Sequence, residues 1–107
     1  DSAFASRIYA LLRQVPAGYV TTYGDLAQAA GSHAYRAVGQ VLRCNPYAPE
    51  VPCHRVVASD GSLHGFNGSR AATSLQRKKS LLSQEGLSFQ KNKVLNFSQH
   101  RWSFRQL

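Results

Sequence analysis

Cys53 and His54 are the adjacent residues of this sequence that are best suited to covalent chemistry. They lie in the run Val51-Pro52-Cys53-His54-Arg55-Val56-Val57. A cysteine reacts as its thiolate and therefore needs a nearby base or cation, and a histidine is a base near neutral pH. Because neighbours on an extended chain point to opposite sides, the pair can cooperate only if Pro52 rotates the backbone and a water links the two side chains.

A histidine that acts as a base needs an acceptor that orients its ring. The carboxylates that could supply it are Glu85, Asp25, Glu50 and Asp60. Glu85 lies at the end of a predicted helix that could pack back on the Cys53 segment. Two alternatives stay open: a buried, inert cysteine beside a solvent-facing histidine, and a zinc site. A zinc site needs about four ligands with paired spacing, and Cys44, Cys53 and His54 do not form such a set.

The composition indicates one small folded domain with an acidic partner. The chain has 107 residues, with 13 Lys and Arg against 5 Asp and Glu, for a net charge of +8. Hydrophobic residues make up 43% and charged residues 17%, which favours a folded chain over disorder. Two cysteines are too few for a disulfide scaffold, and we see neither a membrane span nor a signal peptide. The surplus of positive charge points first to nucleic acid.

Apolar residues at helical spacing predict four helices, at residues 2–14, from the N-cap Thr22 through Ala30, at about 34–43 and at about 70–84. Asp25 stands in the capping-box position of the second helix, and Gly31 and Gly86 are predicted to end helices. The two middle helices, separated by a turn of about three residues, form a helix-turn-helix pattern. The second helix of the pair carries its arginines, Arg36 and Arg43, on its outer face, as suits a helix that contacts DNA, although short amphipathic helix pairs also occur without DNA.

The remaining segments give further expectations. Residues 19–21 and 56–57 are predicted to be extended, and residues 59–62 to form a turn. The last helix is predicted to turn its basic residues to solvent: Arg70, Arg77, Lys78 and Lys79. The tail from about residue 87 to 107 is expected to wrap the domain, with Trp102 either anchoring it or touching DNA. Cys44 is expected to be partly buried at a helix end, and surface positions without partners are predicted for His33, His64 and His100.

The segment Pro52–Val56 resembles the active-site signature of the O6-alkylguanine-DNA alkyltransferases, the methylated-DNA–protein-cysteine methyltransferases. Further motifs occur in the family's order: Thr22–Ala27, Arg36–Gly39, Asn45-Pro46, Ser59–Gly61 and Leu81–Gly86. The resemblance covers most of residues 4–86. It implies a mainly α fold with short strands, a helix-turn-helix of winged-helix type like the alkyltransferase C-terminal domain, in a single domain over residues 1–107.

The resemblance implies a role for each matching residue around the cysteine. Cys53 matches the residue that accepts the alkyl group, and His54 matches the base that takes the thiol proton through a water. Glu85 matches the carboxylate that orients this histidine. Asn45 matches the hinge asparagine that braces the turn, and Arg55 matches a signature arginine that we interpret as support.

DNA contacts follow from the same resemblance. Tyr23 matches a tyrosine that pushes on the DNA backbone and can donate a proton to the leaving guanine. Arg36 matches the arginine that enters the duplex in place of the flipped base. Further expected DNA contacts are Thr22, Tyr35, Gln40, Arg43 and Arg55, and the expected lesion pocket contains Val51, Pro52, Phe66 and Asn67. Phe66 and Asn67 depart from the Tyr-Ser pair usual in the repair enzymes; Phe66 can still stack on a base but lacks the hydroxyl.

The implied function is direct repair of duplex DNA that contains O6-alkylguanine. The base must be extruded before its O6 can be reached, and the alkyl group passes to Cys53 once per protein molecule. No metal or organic cofactor and no membrane contact are expected. We expect an intracellular monomer, in the nucleus of a eukaryote or the cytoplasm of a bacterium.

Two other functions remain open. The short chain, the basic segment before Glu85 and the tail with Trp102, Phe104 and Arg105 resemble the alkyltransferase-like proteins. Those bind O6-alkylguanine without repair and flag it for nucleotide excision repair proteins. Their cysteine position usually holds another residue, often Trp, whereas this chain has Cys53. A sequence-specific helix-turn-helix regulator is the third hypothesis.

Overall fold

A computed structural model describes residues 2–63 and 72–104. In chain order the elements are α1 (Ala3–Leu12), β1 (Thr21–Thr22), α2 (Tyr23–Ala29), α3 (Tyr35–Arg43), β2 (Val56–Val57), α4 (Ala72–Gln84), β3 (Phe89–Gln90), β4 (Lys93–Val94) and α5 (Phe97–His100). A one-turn 3₁₀ helix, Cys53–Arg55, precedes β2. All four predicted helices are present, and the mainly α class with short strands is confirmed. Within the described ranges, no helix is long and apolar enough to cross a membrane.

The ends of the helices are set by capping residues that can be identified in the sequence. Ser2 Oγ accepts the N–H of Ala5 at 3.0 Å and caps α1. Thr22 Oγ1 accepts the N–H of Asp25 at 3.0 Å and caps α2, as predicted. Gly31 (φ +78°) and Gly86 (φ +97°) adopt the left-handed conformation just beyond α2 and α4, where a side chain would be strained.

Helices α1, α2 and α3 enclose the first core. Its buried side chains are Ala5, Ile8, Tyr9, Leu12, Val15, Leu26, Ala27, Ala30, Val38, Leu42, Val51 and Val56. Each fully buried Leu, Ile or Val stabilises the fold by roughly 1.5–3 kcal/mol. This packing fixes α2 against α3 and leaves the outer face of α3 exposed.

A parallel strand pair connects this core to a second one. β1 pairs with β2 in the register Thr21↔Val56 and Thr22↔Val57, so the strand before α2 lies beside the strand after the Cys53 turn. The second core contains Val20, Val57, Leu63, Leu82, Leu87 and Val94. It packs α4 and the antiparallel β3–β4 hairpin against the pair.

The described part of the tail pairs with the strand that leads into α2. Val20 donates its N–H to the carbonyl of His100 at 2.8 Å, and Trp102 donates to the carbonyl of Val20 at 2.8 Å. This segment therefore runs parallel to the chain at Val20. The Trp102 ring packs on the first core and meets the Tyr19 ring edge-on at 5.5 Å, so it anchors the tail.

Three expectations about single residues are wrong. Lys78 is buried, with 1% exposure, because it shares a helical stripe with Leu75 and Leu82 at i+3 and i+7. Cys44 is exposed, because it follows the last buried position of α3. His100 is not without a partner: it is half-buried, and its Nδ1 lies 2.9 Å from the carbonyl oxygen of Gly18.

Candidate active site and nucleic-acid interface

Cys53 lies on a tight turn rather than on an extended strand. Pro52 (φ −81°, ψ 73°) has the dihedral angles of an inverse γ-turn, and the Cys53 N–H donates to the Val51 carbonyl at 2.8 Å. The predicted rotation at Pro52 is therefore present. Cys53 is half-buried at the edge of the first core, while His54 is 5% exposed. The alternative of a solvent-facing histidine is wrong.

Glu85 is the carboxylate that contacts His54. It immediately follows α4 and lies 31 residues further along the chain, with its Oε2 2.9 Å from His54 Nε2. The other three candidate carboxylates are engaged elsewhere: Asp25 with Arg101, Glu50 with Arg13 and Asp60 with the Ser62 N–H. Packing of α4 against the 3₁₀ turn brings Glu85 to the histidine.

Arg55 holds Glu85 from a second side. Its Nε donates to Glu85 Oε1 at 2.9 Å, and its Nη2 donates to Oε2 at 2.7 Å. Its Nη1 donates to the carbonyl of Val15 at 2.7 Å. All three guanidinium nitrogens thus donate inside the protein, and they connect the Cys53 turn to the ends of α1 and α4. A fork of this kind fixes the carboxylate in one plane.

The protonation states suit a histidine base. Burial would raise the pKa of Glu85, but the hydrogen bonds from Arg55 and His54 outweigh it and hold this pKa below its ordinary value. An ionised carboxylate only accepts hydrogen bonds, so His54 Nε2 carries the proton and Nδ1 is left as the basic nitrogen. Burial, with Arg55 and Lys78 adding to it, lowers the pKa of His54. The imidazole is therefore neutral at pH 7.

Asn45 braces the turn from the end of α3. Its Nδ2 donates to the carbonyl of Val51 at 3.0 Å, the same oxygen that accepts the Cys53 N–H. Its Oδ1 accepts the N–H of Tyr47 at 2.9 Å. Val51 and Pro52, both expected in the lesion pocket, are buried in the structure.

Lys78 is a site residue that our sequence reasoning missed. Its Nζ donates to the carbonyl of Val56 at 2.5 Å, directly after the Cys53–Arg55 turn. Burial lowers the pKa of Lys78 to about 8, although the nearby Cys53 acts in the opposite direction. The lysine is thus a second cation within reach of both the thiol and the imidazole. Its place on the stripe with Leu75 and Leu82 was the signal that could have revealed its burial.

The expected DNA contacts divide into two groups. Exposed on the outer face of α3 are Tyr35, Arg36, Gln40 and Arg43. Tyr23, the first residue of α2, is half-buried against the first core. Thr22 is buried, and its hydroxyl caps α2. Phe66 and Asn67, together with His64, Arg70 and Arg105, lie outside the described residues. Among residues 2–63 and 72–104, no group of three or more His, Cys, Asp or Glu could hold a metal ion.

The fold and the site together define a helix-turn-helix domain that carries a cysteine, followed by a histidine bonded to a glutamate, on the turn beyond its second helix. The family model described as "6-O-methylguanine DNA methyltransferase, DNA binding domain" matches residues 3–87. The chain belongs to this family, and the resemblance read from the sequence is confirmed.

Relatives in this family carry two kinds of name. The DNA base-flipping protein of Escherichia coli is 35% identical over 105 residues, which cover 97% of this chain and 78% of that protein. The methylated-DNA–protein-cysteine methyltransferase of Salmonella typhimurium is 42% identical over 84 residues, which cover 78% of this chain and 46% of the enzyme. Atl1 of S. pombe, whose crystal structure is a complex with damaged DNA containing O6-carboxymethylguanine, is similar in structure, with a TM-score of 0.77, 28% identity and 94% coverage of both chains.

Lys78 generates a prediction about the pH dependence of stability. Between pH 8 and 10.5 the lysine has lost its proton in the folded state but keeps it in the unfolded state. Folding stability must therefore rise with pH through this window. The free energy of unfolding of the wild type, minus that of Lys78→Met, should rise by up to about 3 kcal/mol across it, as measured by denaturant titration at each pH.

Lys91→Met is the matched control, because Lys91 is exposed. The difference between wild type and this control should stay flat over the same pH range. If the difference between wild type and Lys78→Met is equally flat, Lys78 titrates in the folded state as it does in the unfolded chain.

Proposed function

We propose that this protein repairs duplex DNA by transferring an alkyl group from O6 of guanine to Cys53, once per molecule. The observation that carries the proposal is the contact chain from the Cys53 turn through His54 to Glu85, at 2.9 Å between the histidine and the carboxylate. A buried neutral histidine beside a half-buried cysteine can act as the general base for the thiol. An inert cysteine needs no such arrangement.

The chemical step is a nucleophilic displacement. His54 takes the Cys53 proton through a water, and the sulfur attacks the alkyl carbon. The S–C bond forms as the C–O6 bond breaks, and the electron pair of the broken bond stays with the guanine. A proton donated to the departing base stabilises it, and we assign this donation to the hydroxyl of Tyr23. The resulting thioether has no built-in reversal, so each molecule reacts once.

DNA recognition is assigned to the exposed face of α3 and to the start of α2. Arg36 is exposed on the first turn of α3, where a long cation can enter the base stack and occupy the gap left by an extruded base. Tyr35, Gln40 and Arg43 share this outer face. The remaining part of the +8 charge supplies attraction to phosphates that does not depend on sequence.

Intact mass and peptide mapping test the transfer directly. After incubation with duplex DNA containing O6-methylguanine, the Cys53 peptide should gain one methyl group per molecule, while Cys53→Ser and undamaged duplex should give no gain. A protein that binds the lesion duplex and keeps an unmodified Cys53 would contradict the transfer.

A second candidate is lesion binding that signals damage to nucleotide excision repair proteins without repair. It is favoured because the similarity to two relatives extends into the tail. The comparison with Atl1 covers 94% of both chains, and the comparison with the base-flipping protein covers 78% of that protein. Here Cys53 would stay unmodified, and Cys53→Ser would bind O6-methylguanine duplex as tightly as the wild type. Stoichiometric alkylation excludes this candidate.

The alkylation rate should depend on the protonation state of His54. A histidine base is lost as the pH falls through its pKa, which burial places below 6.5. The midpoint of the fall in rate should therefore lie below pH 6.5. In Lys78→Met the midpoint of this fall should move to higher pH, since a cation that lowers the histidine pKa is removed.

Single-turnover rates over a pH series measure this midpoint, and Lys91→Met is again the control whose midpoint should not move. A wild-type midpoint above 6.5 would rule out a buried, neutral His54 as the base.

Arg36 should contribute far more to binding of the lesion duplex than the exposed Lys91 does. Arg36→Ala should weaken binding to the lesion duplex by about tenfold or more, because it removes the group that holds the gap open. Lys91→Ala should cost about twofold or less, as one phosphate contact at most. Competition binding against undamaged duplex separates the two, and equal small effects would mean that both residues act as diffuse charge.

A further inference from the structure

Arg101 and Asp25 join the tail to the first turn of α2. Arg101 Nε donates to Asp25 Oδ2 and Nη2 donates to Oδ1, both at 2.8 Å. The two residues are 76 positions apart in sequence. Asp25 is two residues beyond Tyr23, so the guanidinium holds the same helical turn that begins with the tyrosine.

The Asp25–Arg101 pair adds little to folding stability, and its importance lies in the orientation that it imposes on both side chains. The Arg101 side chain is 45% exposed, and exposed ion pairs contribute little to folding. A two-pronged contact nevertheless fixes the orientation of both partners. The Arg101 guanidinium also lies over the Phe97 ring, 5.5 Å from its centroid, which restricts it further.

Backbone hydrogen bonds from the tail also hold the strand that precedes Tyr23. Val20 exchanges two backbone hydrogen bonds of 2.8 Å with His100 and Trp102. The strand leading into α2 is thus flanked by β2 on one edge and by the tail on the other. The chain that carries Tyr23 is therefore restrained on both sides and at its first helical turn.

The pair also changes the charge beside the tyrosine. Asp25 is the only acidic residue between Val20 and Cys44, and an unpaired carboxylate there would repel DNA phosphates. Arg101 neutralises it. A substitution at either position therefore has two separable effects, one on charge and one on position.

We infer that Arg101, acting through Asp25, is a positioning residue that holds Tyr23 in place while the target base is extruded. The inference rests on the proposed function. Extrusion costs a few kcal/mol, and a side chain that pushes on the backbone transmits this load to its own helix. A first turn fixed by the tail resists the load, whereas a free one yields to it.

The test uses two substitutions with opposite charge changes. Asp25→Asn removes a negative charge and Arg101→Gln a positive one, but both break the same contact. Base extrusion is read from the fluorescence of 2-aminopurine placed next to O6-methylguanine in a duplex, with the full chain. Both variants should lower extrusion by between about 2- and 30-fold, while affinity for undamaged duplex stays within about twofold of wild type. Arg101→Lys, which keeps the charge without the fork, should fall in between.

A longer ion pair, between Arg13 and Glu50, supplies matched controls. The two side chains are 3.5 Å apart and 41% and 77% exposed, so Arg13→Gln and Glu50→Gln should leave extrusion unchanged. Thermal unfolding of every variant shows that the reaction temperature lies below its transition.

Three results would overturn the inference. Asp25→Asn and Arg101→Gln could change extrusion in opposite directions, which is the signature of diffuse charge. They could leave extrusion unchanged, or reduce it only in parallel with undamaged-duplex binding. The proposed function fails separately: a wild type that extrudes the base without alkylation of Cys53 contradicts the transfer alone, and one that does not extrude it contradicts both.

Discussion

The carboxylate of Glu85 is the acceptor on which the rest of the site depends. Its two oxygens take three hydrogen bonds from Arg55 and His54, at 2.7–2.9 Å. Through Arg55 this carboxylate is also connected to the Val15 carbonyl at the end of α1. The Cys53 turn, the segment after α1 and the end of α4, which are distant in sequence, are thus connected through the Glu85 carboxylate. Arg55 and Glu85 are half-buried, and their two-pronged contact fixes the orientation of both, so the group that orients the histidine also holds the Cys53 turn in place.

Burial gives this arrangement its chemical character. His54 and Lys78 are 5% and 1% exposed, and in such surroundings each charge acts strongly on its neighbours. Lys78 moves the histidine toward its neutral form, and a thiolate at Cys53 moves the lysine toward its charged form. The positive charge of Lys78 is therefore favoured when the thiolate forms. The cost of burying the lysine is offset in part by its bond to the Val56 carbonyl.

How far the sequence predicts this structure depends on the range of the interaction. Helix ends follow from residues three or four positions apart, which is why Thr22 and Gly86 were identified correctly. The sequence leaves four candidates for the carboxylate that orients His54. Glu85 lies 31 positions from His54, and residue spacing does not determine how α4 packs against the Cys53 turn. The predicted solvent exposure of Lys78 is wrong because it follows from the residue type, whereas the helical stripe that Lys78 shares with Leu75 and Leu82 is apolar. The pairing of the tail with Val20 and the Asp25–Arg101 contact join residues that are far apart in sequence, so no periodic pattern of residue types predicts them.

The two proposed activities, base extrusion and alkyl transfer, use different parts of the site. In the proposal, extrusion is assigned to Arg36 on α3 and to Tyr23 at the start of α2. The proposed alkyl transfer uses Cys53, His54 and Glu85, which lie around the 3₁₀ turn. The β1–β2 pair connects the segment after the Cys53 turn to the start of α2, and Tyr23 takes part in both activities as the proposed proton donor. Under this proposal, similarity along the tail bears on base extrusion and does not by itself indicate transfer. We propose that the residues at the turn, Cys53 with the buried His54, distinguish alkyl transfer from lesion binding alone.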